Sequence, residues 1–281
     1  MITRRTERLL AEAVAIEEEA AKEAGTLGFM ARAMVQATLP HRDPKTNEFE
    51  RRNGNYTLTL LAPSKVGLPF GIIPRLLLAW MSTEAVRTQS RSLVLGDGLS
   101  EFMRQLDMVP TGGRWGTITR LREQMRRLFS CNVSWNFDGK DETDLGGYRL
   151  VDRAHLWWTP QHPDQAGLWQ STIELGERFY NEVIGYPVPI DMRVLKALKS
   201  SPLALDIYCW LTYRMSYLKN DTVIPWPLLV AQFGSGYGRE RAFREAFGES
   251  LQKVLVVYPE AKVSAAPVGL ALKPSPTHIA R

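Results

Sequence analysis

One stretch of this chain occurs twice, and the repeat narrows what the chain can fold into. Trp115–Phe129 and Tyr237–Leu251 align without a gap. Gly116 falls on Gly238, Arg122 on Arg244 and Glu123 on Glu245, while Leu121, Met125 and Phe129 fall on Phe243, Phe247 and Leu251. In the first copy Ile118, Leu121, Met125, Leu128 and Phe129 recur at helical spacing and form one apolar stripe, with Thr119, Arg120, Glu123, Arg126 and Arg127 on the opposite face. Each copy follows a glycine-rich turn, Pro110–Arg114 or Gly234–Gly238. Further upstream, each also follows an apolar helix with a central tryptophan: Pro74–Val86 with Trp80, and Pro202–Leu218 with Trp210. Elements that recur in the same order predict an internal duplication of one fold unit.

Within the first unit, Ser100 is placed to cap a short helix reaching Leu106, with Leu99, Phe102, Met103 and Leu106 as its apolar side. Short helix, tight turn and basic amphipathic helix is the order of a helix-turn-helix. A plain helical hairpin with a solvated arginine face is the competing reading of one copy; two copies favour the first. The predicted fold is α+β: two tandem winged-helix domains behind an N-terminal helical extension. Residues 1–55 form a helix and polar arm, 56–186 the first domain, making auxiliary DNA contact, and 187–281 the second, the principal DNA reader.

Element by element, Thr6–Ala24 reads as a helix with a thin seam of Leu9, Leu10, Ala13, Val14 and Ile16, ending at Gly25. Leu39–Gly54 is polar and turn-rich, an arm or linker. Tyr56–Leu61 alternates as a strand does, and Ser92–Leu95 is short and extended. Asn132–Phe137 and Tyr148–Trp158 read as a hairpin in the position of a wing, with an acidic tip of Asp138, Asp141, Glu142 and Asp144 against Lys140. Such a tip repels phosphate. Leu168–Leu175 reads as a strand, Glu177–Ile184 as a helix, and Pro187-Val-Pro189 as a domain boundary. In the second unit Asp191 caps a short helix. Ser201-Pro202 opens a long one with cap and first-turn proline in their preferred places. Val223–Ile224, a helix at Pro227–Phe233, and strands at Val256–Tyr258, Lys262–Ser264 and Gly269–Leu272 complete it, with Lys273–Arg281 as a flexible tail.

The formal charge is +5 over 281 residues, which permits a polyanionic partner; four arginines against one glutamate in Thr117–Phe129 say more. Cys131 and Cys209 form no metal-ligand pair and fit a reducing cytoplasm. No secretory signal is visible, and apolar runs such as Leu76–Met81 are too short to span a bilayer. No GxxxxGK[ST] loop is present, and Gly234-Ser-Gly-Tyr-Gly238 lacks the strand and acid of a dinucleotide site. His41, His155, His162 and His278 are scattered, so metal-dependent nicking has no ligand set, and no catalytic constellation stands out. No cofactor is expected. Trp157-Trp158 is able to stack bases, but core or interface packing is favoured.

The expected DNA-contacting residues are Arg114, Thr119, Arg120, Arg126 and Arg127 in the first unit, with Arg239, Arg241, Arg244, Lys262 and Lys273 in the second. Arginines on these helices match phosphates and guanine edges, and a tandem arrangement lets one chain span two successive major grooves.

Several strings resemble the plasmid-encoded RepA family of replication initiators: Pro40-His-Arg-x-Pro44, Phe49-x-Arg51-x-Asn53-Gly54, Gly67-Leu-Pro-x-Gly71-x-x-Pro-Arg75 and Trp80-x-x-Thr-Glu-Ala85. Gly112-Gly-Arg-Trp-Gly116, Pro187-Val-Pro-Ile-Asp191 and Ser201-Pro-Leu-Ala-Leu-Asp-Ile-Tyr-x-Trp-Leu-Thr-Tyr-Arg214 join them. The likeness runs from about Leu39 to the C-terminus. It implies a cytoplasmic bacterial protein that initiates theta-type plasmid replication and takes part in copy-number control. Such a protein binds double-stranded origin DNA at repeated sequences (iterons), helps melt an adjacent AT-rich region, and recruits host DnaA and the helicase DnaB. It further implies a dimer that represses and a monomer that initiates, with no catalytic site. A transcriptional regulator with two winged helices and no initiation role is the alternative reading.

Overall fold

The computed structural model describes residues 4–96, 98–157, 171–234 and 236–279. Two units share one element order. The first runs α3 (Ile72–Thr88), β4 (Ser92–Val94), α4 (Leu99–Gln105), α5 (Thr117–Ser130), β7 (Val151–His155) and β8 (Thr172–Leu175). The second runs α8 (Pro202–Met215), β10 (Thr222–Pro225), α9 (Trp226–Phe233), α10 (Glu240–Val257), β11 (Val263–Ala266) and β12 (Gly269–Leu272). Each closes a three-stranded antiparallel sheet with its last strand in the middle, β4-β8-β7 and β10-β12-β11. The packing repeats as well. Trp80 of α3 meets Phe102 of α4 edge-on with ring centroids 4.9 Å apart, and Trp210 of α8 meets Phe233 of α9 edge-on at 5.6 Å. A large indole on the first helix thus locks the second helix in both units.

The hairpin expected as the first wing belongs elsewhere. β5 (Asn132–Asp138) and β6 (Thr143–Arg149) join β2 (Glu48–Asn53) and β3 (Tyr56–Leu61) in a separate four-stranded sheet, β2-β3-β5-β6. Its acidic tip closes through Gly139 N–H donating to the Glu142 carbonyl at 2.8 Å. The chain then passes through buried Leu150 into β7. The position equivalent to the β11–β12 turn is therefore the segment between β7 and β8; residues 158–170 of it, with Trp158 and Leu168–Gln170, lie outside the described residues. The error has a simple cause: β5 and β6, which complete a sheet begun by β2 and β3, are inserted between the basic helix and the strands of its own unit, so sequential adjacency misleads.

The arm was also misread. Leu39 is buried, and β2 pairs with β3 from Glu48 opposite Leu61 to Asn53 opposite Tyr56, across the expected boundary at 55/56. Gly54 makes the turn with φ +60, a conformation that favours glycine. Phe49 and Arg51 face inward from β2 while Glu48, Glu50 and Arg52 face solvent, the alternation of a strand covered on one side. Pro187-Val-Pro189 lies in a strand. β9 (Pro187–Asp191) pairs antiparallel with β1 (Leu27–Ala31), tying the N-terminal region to the junction of the units.

α1 (Arg4–Glu18) is shorter than expected and packs on α10 and on α7 (Met192–Leu198), with Ile16 buried but Leu10 and Val14 exposed. Arg193 donates to the carbonyls of Ala15 at 3.0 Å and Glu19 at 2.7 Å, satisfying carbonyls at the end of α1. α2 (Arg32–Gln36) carries buried Ala33, Met34 and Val35, and α6 (Glu177–Gly185) follows β8. Asp191 and Ser201 cap their helices as predicted, accepting from Arg193 N at 2.8 Å and Ala204 N at 3.2 Å. Ser100 does not cap: Gly98 holds that position, and Ser100 lies in the first turn of α4. Val256–Tyr258 is not a strand, since α10 runs through Val257. The C-terminal segment is held as far as Ile279: Tyr258 Oη donates to the Pro276 carbonyl at 2.6 Å, and Lys262 N donates to Ser275 Oγ at 2.9 Å.

A buried polar knot joins the units. Arg75 of α3 clasps Asp206 of α8 with both arms, Nε to Oδ1 at 2.7 Å and Nη2 to Oδ2 at 2.6 Å. The guanidinium also donates to the carbonyls of Leu39, Pro40 and Gly71, and His41 Nε2 meets Asp206 Oδ2 at 2.8 Å. Arg51 reaches Thr38 O at 3.3 Å and Phe233 O at 3.4 Å. Much of the sequence that carried the RepA likeness thus builds this joint.

Candidate nucleic-acid interface

The basic helix α5 is set by the turn before it. Thr117 Oγ1 donates to the Val109 carbonyl at 2.6 Å, Thr111 Oγ1 accepts from Thr117 N at 2.9 Å, and Thr119 Oγ1 donates to Gly113 O at 2.9 Å. Gly116 admits no side chain, because a Cβ there would sit 2.2 Å from the Thr111 carbonyl. On the inner side Ile118, Leu121, Met125, Leu128 and Phe129 are buried, each apolar side chain contributing about 1.5–3 kcal/mol. The outer side is held rigidly toward solvent.

That side borders an open cleft of 1040 Å³ between α5, the end of β6 and β7. Arg114, Arg122, Arg126, Arg149 and Arg153 line it. Its acids are already engaged: Glu123 pairs with Arg126 at 3.3 Å and Arg127 at 2.9 Å, and Asp152 pairs with Arg91 at 2.8 Å. Among the described residues no ion pair involves Arg114, Arg122, Arg149 or Arg153. The cleft therefore carries net positive charge facing water, a field that concentrates a polyanion. Arg114 covers one face of Trp115 at 5.1 Å from the ring centre, and Trp115 is 80% exposed.

The structure sorts the expected residues. Arg114, Thr119 and Arg126 line the cleft, and Arg120 is exposed on the same helix. Arg127 points elsewhere: it donates to Leu68 O at 3.1 Å, lies 3.6 Å from Asp43 and sits 5.2 Å over the Phe70 ring, so it anchors α5 to the 67–70 segment. Arg122, Arg149 and Arg153 were not among the expected residues. Arg122 was legible, since it faces outward on the same helix and aligns with Arg244. The other two had no such signal, because only the fold of β6 and β7 carries them beside α5.

In the second unit, Arg239 is exposed at the start of α10 and Arg241 is 90% exposed on its side chain while paired with Glu245 at 3.2 Å. Arg244 is tied back: it donates to Pro267 O in the β11–β12 turn at 2.9 Å and lies 5.0 Å over Trp226. It braces that turn against α10, helped by Trp226 Nε1 donating to Ala266 O at 2.9 Å. Lys262 and Lys273 are exposed and adjacent, Lys273 N donating to Lys262 O at 3.0 Å. Glu240, Glu245 and Glu249 dilute the charge of α10, so the stronger positive face is on α5. The reason for ranking the second unit first, an acidic wing on the other, disappears with the reassignment of the 138–147 hairpin.

Among the described residues no cluster of three or more His, Cys, Asp or Glu side chains has the geometry to hold a metal. Both cysteines are buried, and burial pushes the Cys131 thiol up to about 12, so it is no nucleophile at neutral pH. No described helix is long and apolar enough to cross a membrane.

Residues 68–227 match the family model described as "Plasmid encoded RepA protein". The match takes in α5 and the Arg75–Asp206 joint and stops short of α10. A crystal structure of domains 2 and 3 of RctB shares the fold with a TM-score of 0.55 at 10% identity, over 86% of this chain and 95% of that one. No curated protein matches the sequence.

Proposed function

The chain belongs to the RepA family of plasmid-encoded replication initiators, and from that premise we propose that it acts by binding duplex origin DNA through two winged-helix units. In this reading β8 and β12 are the central strands, α5 and α10 are the reading helices, and the β7–β8 and β11–β12 connections are the wings. The carrying observation is the cleft along α5, where arginines without carboxylate partners from a helix and two strands converge. Arg122, Arg126, Arg149 and Arg153 would grip phosphate, while Arg120 and Thr119 near the start of α5 would reach base edges. Arg239 and Arg241 would do the same from α10, with Lys262 and Lys273 on the backbone beside it. The repeated origin sequences, the recruitment of DnaA and DnaB, and a monomer–dimer exchange are inferred from family likeness. The chain needs no cofactor and performs no bond-breaking step in this role.

Equilibrium binding to the duplex flanking its own gene tests the reading. Affinity should fall steeply with salt, with a log–log slope of about −0.9 per phosphate contact. Replacing Arg122, Arg149 and Arg153 together by alanine should flatten that slope by roughly 2.7. A wild-type affinity indifferent to salt would sink the proposal.

A further inference from the structure

The exposed Trp115 is left over by duplex binding. An indole 80% exposed at the mouth of a rigid turn packs against no core and presents its ring to solvent. One face is already occupied by Arg114, whose guanidinium carbon is 5.1 Å from the ring centre. The stapled turn (Thr111, Thr117, Thr119) fixes where the ring projects. Leu156, just past the end of β7, lines the same cleft and is 40% exposed, and its neighbour Trp157 is 54% exposed. Of the two packing roles expected for Trp157, core or interface, the core is the one this exposure argues against.

The charge decides the class of partner. A cleft edged by Arg114, Arg122, Arg149 and Arg153 without carboxylate partners attracts a polyanion, not an ordinary protein surface. The aromatic decides its form. Bases in a duplex are stacked and present edges, so they offer no face to an indole; an unpaired base does. We propose that the α5 cleft also binds single-stranded DNA, with one base stacked on the free face of Trp115 and its backbone lying along Arg122, Arg149 and Arg153. The proposal rests on reading the cleft as a nucleic-acid site. It adds a second substrate form, the strand exposed when a duplex opens.

The test compares the full chain and Trp115→Ala by fluorescence anisotropy on a labelled 16-nucleotide oligo(dT) and on a labelled duplex, at one salt concentration. Loss of one stacked base should weaken oligo(dT) binding roughly 5- to 150-fold. Duplex affinity should stay within about two-fold, and Trp115→Phe should recover much of the oligo(dT) affinity. An exposed side chain makes these substitutions safe for folding. If wild type binds duplex but not oligo(dT), this inference falls and the duplex reading stands; if it binds neither, both fall. Equal loss on both probes, or no loss on either, overturns the stacking role. A changed sedimentation coefficient in Trp115→Ala with oligo(dT) binding intact would show that the indole meets protein instead, and would overturn it too.

Discussion

Two partly buried histidines make single residues into reporters of acid stability. Tyr208 Oη accepts from Asp191 N at 2.9 Å and meets His278 Nδ1, also at 2.9 Å. Burial lowers the pKa of His278, with the nearby carboxylates Asp191 and Glu260 opposing but not reversing it. His41 is lowered for the same first reason, against its hydrogen bond to Asp206. Both are depressed below the unfolded value of about 6.5, so the unfolded chain takes up protons first and stability drops as pH falls beneath that value. Asp206 behaves otherwise. Burial works against its charge, but Arg75 and His41 outweigh that and hold it below its usual pKa, so its contribution survives until pH falls below about 3.8. The unfolding free energy from urea titrations should therefore fall between pH 7.5 and pH 5.5, by at most about 1.4 kcal/mol per pH unit for each histidine. His278→Gln should be less stable at pH 7.5 and lose less on acidification. An unchanged pH dependence in that variant would remove His278 from the account.

At the scale of elements, the N-terminal region divides where the sequence showed no division. α1 lies on α7 and α10 with one well-buried side chain, Ile16. Residues 27–38 belong to the core: Met30, Ala31, Ala33, Met34, Val35, Ala37 and Thr38 are all buried, and β1 is the partner of β9. A chain beginning at Thr26 should fold, with cooperative urea unfolding weakened by about 1.5–3 kcal/mol for the lost Ile16 packing. A chain beginning at Leu39 should lose near-ultraviolet circular dichroism and its cooperative transition. A normal transition in that shorter chain would mean β1 and α2 are dispensable. The contrast also explains what was readable beforehand. α3, α5 and α8 were legible because helical periodicity is local, and β12 because glycine and alternation bound it. β1 and β9 were not, since each is short, one carries two prolines, and the pairing that makes them strands spans some 160 residues of chain. The same limit governs the site: the α5 arginines announce themselves by spacing, while Arg149 and Arg153 acquire meaning only when β6 and β7 bring them to the helix.

The whole molecule is two similar units with little freedom between them. The β1–β9 pair, the Arg75–Asp206 clasp and the 36–41 segment all cross the junction, the last through Gln232 Nε2 donating to Gln36 O at 3.0 Å. Lys199 adds a fourth tie, its ammonium donating to the Asp107 carbonyl at 2.9 Å just beyond α4. A buried ion pair is no guarantee of net stability, but breaking one by removing a partner costs about 3–5 kcal/mol, which makes the joint stiff against separation. Stiffness has a consequence for DNA. If α5 and α10 each hold a groove, the second contact is gained at a high effective concentration only when the DNA presents both sites at the spacing the joint dictates. Inserting five base pairs between the two contacts turns one of them to the opposite side of the duplex. Inserting ten restores the face but moves the site by one turn, about 34–36 Å. A flexible pair of units tolerates the ten-pair insertion; a rigid one tolerates neither. The expected result is that both insertions reduce affinity to that of a single-site duplex, and that alanine at Arg239 and Arg241 then has no further effect on the inserted duplexes. Recovery of full affinity at ten base pairs would show that the junction yields, and that the clasp between α3 and α8 does not set the distance between the reading helices.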